Sequence, residues 1–175
     1  DRFLFVINKM DAYNPEEENI ENVMRRAKQY LAEYGIDDPQ VFPCSAFMAL
    51  HIRTDLAGID IENLTRAQQR QLPSGASDTL AMIDKSLQFD SMHLEQYSTL
   101  SPSAQQELNF RLSQAIEAGD TKEQALIHSG ICSIEAAITA YVKKYAKTKK
   151  VKDLVESFQE VLESSQILAK AKTRV

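Results

Sequence analysis

A chain of 175 residues, 43% of them hydrophobic, is long enough to form one domain with a core, or one domain with an extension. The net charge of −5 and the pI near 5.3 argue against general nucleic-acid binding. The two cysteines, Cys44 and Cys132, form neither a disulfide framework nor a metal-ligand spacing, which favours a reducing, cytoplasmic setting.

The first predicted element is a buried parallel strand over residues 2–7, because the run from Phe3 to Ile7 is continuously apolar. The strand is followed by Asn8-Lys9-Met10-Asp11, an N-K-x-D sequence. Polar residues directly after such a strand lie where open α/β sheets bind ligands. The alternative is a β–α turn whose Asn and Asp side chains only make local hydrogen bonds.

A helix, a second strand and a second polar loop are predicted next. The sequence Asn14-Pro15-Glu16-Glu17 predicts a helix start, with an N-cap, a proline at the first helical position and a capping box. Gly35 is expected to end this helix in a left-handed conformation. Residues 40–43 predict the second strand, and Cys44-Ser45-Ala46 follows it.

The middle of the chain has a less regular pattern. Residues 49–56 predict a short helix, and residues 57–77 break the periodicity apart from a short helix over Thr65 to Gln71. Helical periodicity resumes over residues 78–87, whereas residues 88–100 fit neither helix nor strand.

Helices are predicted for the last part of the chain. The first helix begins at Ser101-Pro102 and ends at Gly119. The second begins with a capping box at Thr121 to Gln124 and ends at Gly130. The third is capped by Ser133. A final apolar stripe with near-heptad spacing is typical of a bundle or coiled-coil helix. Its members are Val151, Leu154, Val155, Phe158, Val161, Leu162 and Leu168.

The N-K-x-D sequence, followed by the S-A pair Ser45-Ala46, resembles the guanine-reading half of GTPases of the Ras-like, P-loop class. The resemblance implies GTP or GDP as the bound cofactor, with Mg²⁺ in the intact protein. It also implies a set of guanine-binding residues: Asn8, Lys9, Asp11, Ser45 and Ala46.

These residue types suit guanine chemically. Guanine offers two adjacent donors, N1–H and the N2 amino group, and the Asp11 carboxylate can accept both in charge-assisted hydrogen bonds. Adenine would leave that carboxylate unsatisfied, at a cost of roughly 1–3 kcal/mol. The Asn8 amide can bond N7 and tie adjacent loops, and the Lys9 stem can cover the ring face. In the family, the Ala backbone N–H meets guanine O6 and the Ser supports the loop, roles that carry over to Ala46 and Ser45.

The segment Ser129-Gly130-Ile131, followed by the helical sequence from Ile134 to Tyr141, resembles the final helix of a dynamin-type G domain. The long stretch between S-A and S-G-I, and the continuation into a long helix, resemble that class too, and bacterial dynamin-like proteins in particular. We therefore predict an α/β fold: a partial, helix-rich Ras-like P-loop GTPase fold with a C-terminal helical extension.

The resemblance also predicts the domain organisation. Residues 1–147 would form the C-terminal part of the G domain, with a helical insertion at 58–124, and residues 148–175 would begin a helical neck. A half-sheet of this kind exposes strand edges, which favours self-association. The other expected partners are guanine nucleotide and a membrane surface, without nucleic acid, in the cytoplasm or at the inner face of the membrane. No apolar run is long enough to span a membrane, and no signal peptide is expected.

The resemblance implies GTP hydrolysis by the intact protein, but the phosphate-binding motif is missing from the sequence. No G-x-x-x-x-G-K-[ST] occurs, and none of the five glycines is followed by Lys. Positioning and charge stabilisation of the phosphates do most of the catalytic work in phosphoryl transfer. The chain alone is therefore predicted to be inactive, with no catalytic residue and no metal ligand of its own. Because it begins with Asp, we expect upstream residues in the intact protein.

Two other functions stay open. One is a Ras-like GTPase of another kind, such as a translation or ribosome-assembly factor, and the other is a helical protein-interaction module in which N-K-x-D is fortuitous. The sequence Asp55-Leu56-Ala57-Gly58 matches D-x-x-G, a metal-coordinating motif of GTPases. It lies after S-A, against the usual order, and is predicted to be an ordinary loop.

Two remaining groups of residues are predicted to have structural roles. His51, His93 and His128 are scattered in the sequence and lack a metal-ligand spacing. A basic cluster could hold an anionic membrane surface, at about 1 kcal/mol per residue, but a solvated helix surface is favoured. The cluster consists of Lys143, Lys144, Lys147, Lys149, Lys150 and Lys152.

Overall fold

The computed structural model describes residues 3–12, 19–54, 58–60, 63–72 and 75–172. In the last helix, side chains are described at residues 131–145, 148–153 and 156–157. The protein is 71% helical, and its described residues contain one small parallel sheet of two strands. This composition is compatible with the predicted α/β class.

The sheet is built by a β–α–β unit at the start of the chain. Strand β1 (Leu4–Ile7) is followed by a short 3-10 helix (Met10–Ala12), then by helix α1 (Ile20–Glu33) and strand β2 (Gln40–Pro43). The strands pair in parallel, with Leu4 opposite Gln40 and Ile7 opposite Pro43. Both predicted strands are therefore confirmed, and their carboxyl ends lie side by side at one edge of the sheet.

Helix α1 begins at Ile20 in the part of the chain that the structure describes. The Asn19 side chain accepts a hydrogen bond from the Glu21 N–H at 2.8 Å and caps the helix. The predicted start at Asn14 to Glu17 lies outside the described residues. The predicted end is confirmed, because Gly35 follows the helix with φ +76°, in the left-handed region.

The remaining helices follow the predicted order. Two 3-10 helices, Asp90–Met92 and Leu94–Tyr97, occupy the segment that fitted neither pattern. Ser101 caps its helix, and Thr65 forms a full capping box with Gln68. The helices are α2 (Ala46–Thr54), α3 (Arg66–Gln69), α4 (Ala76–Gln88), α5 (Pro102–Ala118), α6 (Thr121–His128) and α7 (Ile131–Lys172).

Two predicted helix caps were wrong. The N-cap of α6 is Asp120, whose side chain accepts the Glu123 N–H at 3.0 Å, and not Thr121. Helix α7 begins at Ile131, so Ser133 lies inside its first turn and is buried instead of capping it. Gly130 has φ +77°, in the left-handed region that glycine adopts without steric cost, and α7 begins at the next residue.

The core consists of two apolar clusters. The smaller cluster joins the sheet, α1 and the 3-10 helix Leu94–Tyr97. The larger one packs helices α2, α4, α5 and α6 against the first turn of α7, around residues such as Met48, Ile83 and Ile127. Because Leu94 is buried in the smaller cluster, the irregular segment around it is fixed by tertiary packing.

The chain divides into two units, Asp1–Ala137 and Ile138–Val175. The domain assignment of 1–147 and 148–175 stays a prediction. In the second unit, the described lysines of the basic cluster are exposed, as expected for a solvated helix surface. Among members of the predicted apolar stripe, the side chain of Val151 is described, and it is exposed.

Within the described residues, no single helix combines the length and apolar character needed to cross a membrane. The pair Thr121–His128 and Ile131–Asp153 reaches these limits by length and composition when the two segments are taken together.

Candidate functional site

The two polar loops that follow the strands are joined by their backbones. The Cys44 N–H donates to the Ile7 carbonyl oxygen at 2.8 Å, which extends the sheet by one hydrogen bond. The Met10 N–H then donates to the Cys44 carbonyl oxygen at 3.2 Å. The N-K-x-D loop and the S-A loop therefore lie together at the carboxyl edge of the sheet, where ligands of open α/β sheets bind.

Asn8 connects the two loops through its side-chain oxygen. Its Oδ1 accepts the Lys9 N–H at 2.7 Å and the Ala46 N–H at 3.0 Å. Because two backbone donors meet this atom, it must be the oxygen, and the orientation of the amide is determined. The turn requires Lys9 to adopt φ +67°, which is uncommon for a residue other than glycine. The Asn8 amide nitrogen is then the group left to bond a ligand.

Asp11 is bonded to the S-A loop through Ser45. The Ser45 hydroxyl donates to Asp11 Oδ1 at 2.6 Å and accepts the Met48 N–H at 3.2 Å. The second contact makes Ser45 the N-cap of α2. Because its hydroxyl both donates and accepts a hydrogen bond, Ser45 can be completely buried. A carboxylate has about four acceptor positions, so one hydroxyl leaves capacity for further donors.

A third segment, Ser129-Gly130, is hydrogen-bonded to the S-A loop. The Ser45 N–H donates to the Ser129 carbonyl oxygen at 2.9 Å. A Cβ atom at Gly130 would lie 2.2 Å from the Pro43 carbonyl oxygen, so this close approach requires glycine. The sequence indicates S-G-I only through its family resemblance, and the contact between S-G-I and the S-A loop is visible only in the structure.

The structure therefore brings all five predicted guanine-binding residues to one edge of the sheet. Asn8, Asp11, Ser45 and Ala46 are linked by side-chain hydrogen bonds, while Lys9 is exposed beside them. One difference concerns Ala46, whose N–H is expected to meet guanine O6. In the structure this N–H donates to Asn8 Oδ1. Guanine O6 would therefore either share the N–H with Asn8 Oδ1 or replace Asn8 Oδ1 as its acceptor.

Cys44 lies under the same loop and is buried. Burial raises the pKa of its thiol, which keeps the group neutral at physiological pH. Cys44 therefore packs as a small buried hydrophobic residue.

A second polar group lies between the irregular segment and the end of α6. One donor atom each from His93, Glu95 and His128 lie within 4.8 Å of one another. The two imidazole rings stack with centroids 3.7 Å apart, and His128 Nδ1 lies 3.1 Å from Glu95 Oε1. His93 and His128, which are distant in the sequence, therefore lie together in the fold, and their predicted structural role stays a prediction.

The surroundings of this second group hold His93 in a neutral form. Burial, and then the neighbouring His128, lower the pKa of His93. The sequence signal was weak, because His93 lies between two 3-10 helices, Glu95 lies in the second of them, and His128 is on a helix distant in the sequence.

Comparisons with known proteins add no relative: no family model, no curated protein and no solved structure matches this chain.

Proposed function

We propose that this chain is the guanine-binding part of a dynamin-like GTPase that hydrolyses GTP when intact. The observation that carries the proposal is the meeting of N-K-x-D and S-A at the carboxyl edge of two parallel strands, linked by Asn8 to Ala46 and Asp11 to Ser45. Any two loops after adjacent parallel strands lie close together, so the support comes from the two specific side-chain hydrogen bonds between the N-K-x-D and S-A sequences.

Each residue has a defined part in reading the base. The Asp11 carboxylate, oriented by Ser45, accepts N1–H and the N2 amino group of guanine. The Asn8 oxygen is used within the protein, so its amide nitrogen donates to N7. The aliphatic stem of Lys9, which is exposed at the site, covers one face of the ring.

The phosphate groups and Mg²⁺ require residues of another kind. The five proposed residues offer one carboxylate and otherwise amide, hydroxyl and ammonium groups, a set that fits a purine base better than a magnesium ion. Mg²⁺ would stabilise charge on the transferred phosphoryl group, held by a phosphate loop of the intact protein. The chain alone is expected to lack hydrolytic activity.

The dynamin-like assignment rests on the C-terminal half of the chain. The Ser129-Gly130 turn supports the S-A loop and leads directly into α7. The helical segment between S-A and this turn, from α3 to α6, fits an enlarged G domain. Self-association and a location in the cytoplasm, at the inner face of the membrane, belong to this proposal.

The test replaces Asp11 with Asn in the intact protein. An amide can donate to the C2 carbonyl of xanthine but cannot accept both donors of guanine, so the preferred base should change. We expect affinity for GDP to fall at least about tenfold, and affinity for xanthosine diphosphate to rise, because a bidentate charged hydrogen bond is lost. Fluorescent nucleotide titration measures both affinities.

Asp84→Asn is the matched control, because Asp84 is exposed on α4 and belongs to neither loop. Its variant should keep the wild-type preference for guanine. If the wild-type protein binds GDP and ADP equally, or if Asp11→Asn leaves the preference unchanged, the proposal fails. The protein would then be better described as a helical interaction module.

A further inference from the structure

The polar group of His93, Glu95 and His128 is buried in a largely apolar part of the molecule. The Glu95 side chain is 2% exposed, that of His128 5% and that of His93 17%. Burying a carboxylate is costly unless its oxygens are bonded. Glu95 Oε1 is paired with His128, but Oε2 is buried without a hydrogen-bond partner. An unsatisfied carboxylate oxygen beside two imidazoles calls for an explanation.

His93 is held in the tautomer that a metal ligand needs. Its Nε2 lies 3.1 Å from the Ser86 carbonyl oxygen, which can only accept, so Nε2 carries the proton. Its Nδ1 therefore has a lone pair, which accepts a hydrogen bond from the Gln96 amide nitrogen at 3.3 Å and which a metal ion would take in place of this donor. Histidines that bind metals commonly donate their other ring N–H to a carbonyl oxygen in this way.

We propose that His93, Glu95 and His128 form a binding site for a divalent transition-metal ion such as Zn²⁺. Two imidazoles and a carboxylate are a ligand set that suits Zn²⁺, and three protein ligands leave a fourth position for water. The donor atoms already lie within 4.8 Å of one another. The stacked rings cannot both point at one ion, so binding turns one ring about its Cβ–Cγ bond.

The bound ion would have a structural role. It would cross-link residues 93–95 to the C-terminal end of α6, directly before Ser129-Gly130. The Ser129-Gly130 turn accepts the Ser45 N–H and thus supports the S-A loop. An ion that binds the folded chain and not the unfolded chain raises the unfolding temperature. This site does not depend on the proposed reading of guanine.

The test uses the untagged chain, freed of metal with EDTA and titrated with Zn²⁺ by calorimetry and with Co²⁺ by visible absorption. We expect one equivalent to bind, with Co²⁺ bands of a four- or five-coordinate site and a higher unfolding temperature. His93→Gln and Glu95→Gln should each weaken binding by at least about tenfold. His51→Gln is the control, because His51 lies on α2 outside the group.

Two results would overturn the site. One is the absence of saturable binding by the wild-type chain. The other is binding that survives in both His93→Gln and Glu95→Gln, or that His51→Gln weakens equally, which would locate the ion elsewhere. Because Gln at position 95 removes a buried charge, the thermal unfolding of each variant without metal shows whether it is folded. His93→Gln changes the least buried ligand and decides the matter if Glu95→Gln does not fold.

Discussion

At the scale of single residues, Gly130 is the position where the fold and the candidate site depend most directly on one another. A Cβ atom there would lie 2.2 Å from the Pro43 carbonyl oxygen, and the residue has φ +77°. Gly35 has almost the same φ, +76°, but a Cβ atom at Gly35 would have no atom of the described residues within 4 Å beyond its chain neighbours. The pair therefore separates the cost of a left-handed conformation from the cost of a clash.

We predict that Gly130→Ala lowers the free energy of unfolding by more than about 2 kcal/mol, because backbone atoms of β2 must move. Gly35→Ala should lower it by only about 1 kcal/mol, the cost of the left-handed conformation. Urea unfolding followed by circular dichroism measures both. Equal losses would show that the close approach of Gly130 to Pro43 does not exist in solution.

At the scale of elements, helix α6 matters because its C-terminal end carries His128 and leads into Ser129-Gly130. Its N-terminus is capped by Asp120, whose carboxylate accepts the Glu123 N–H at 3.0 Å. We predict that Asp120→Ala destabilises the protein by about 1 kcal/mol, the usual value of an N-cap. Thr121→Ala should have a smaller effect, since Thr121 is already inside the helix. Thermal unfolding of both variants checks this, and the reverse order of losses would contradict the cap.

The elements show which parts of the fold are local in origin. Periodicity predicted helices such as α4, which buries Leu80 and Ile83 on one face, and Gly35 and Gly119 marked two helix ends because left-handed conformations favour glycine. The start of α6 was misplaced because Asp120 and Thr121 are both good caps, and only the backbone geometry selects between them. The segment 88–100 was unassigned because its short 3-10 turns have no helical period and are fixed by tertiary packing.

At the scale of the whole molecule, the candidate site is assembled from three distant segments. Two of them could be predicted, because polar residues after parallel strands must meet at one edge of the sheet. The contact of Ser129 with Ser45, and the meeting of His93 with His128, depend on how α6 packs against the β–α–β unit. Packing of this kind leaves no periodic signal in the sequence, so both features emerged only from the structure.

At the scale of the whole fold, Cys132, which is buried in the larger apolar cluster, contributes to the dependence of stability on alkaline pH. Burial raises the pKa of Cys132 from 9.0 to about 11. Below pH 9 the thiol is protonated in both the folded and the unfolded chain, so its contribution to stability is complete. Between about 9 and about 11 the unfolded chain loses this proton while the folded chain retains it, and stability falls as the pH rises.

We predict that this group accounts for a loss of about 1–3 kcal/mol between pH 8 and pH 10.5, given about 1.4 kcal/mol per pKa unit. The measurement is urea unfolding at both pH values for the wild-type chain and for Cys132→Ala. Other groups that titrate in this range, such as lysines and tyrosines, are common to both proteins, so the difference between their pH dependences isolates Cys132. The variant should be less stable at pH 8, because it leaves a small cavity, but should lose less stability on going to pH 10.5. Parallel losses in the two proteins would mean that the thiol is not buried in solution, and that the first turn of α7 does not pack into the larger cluster as described.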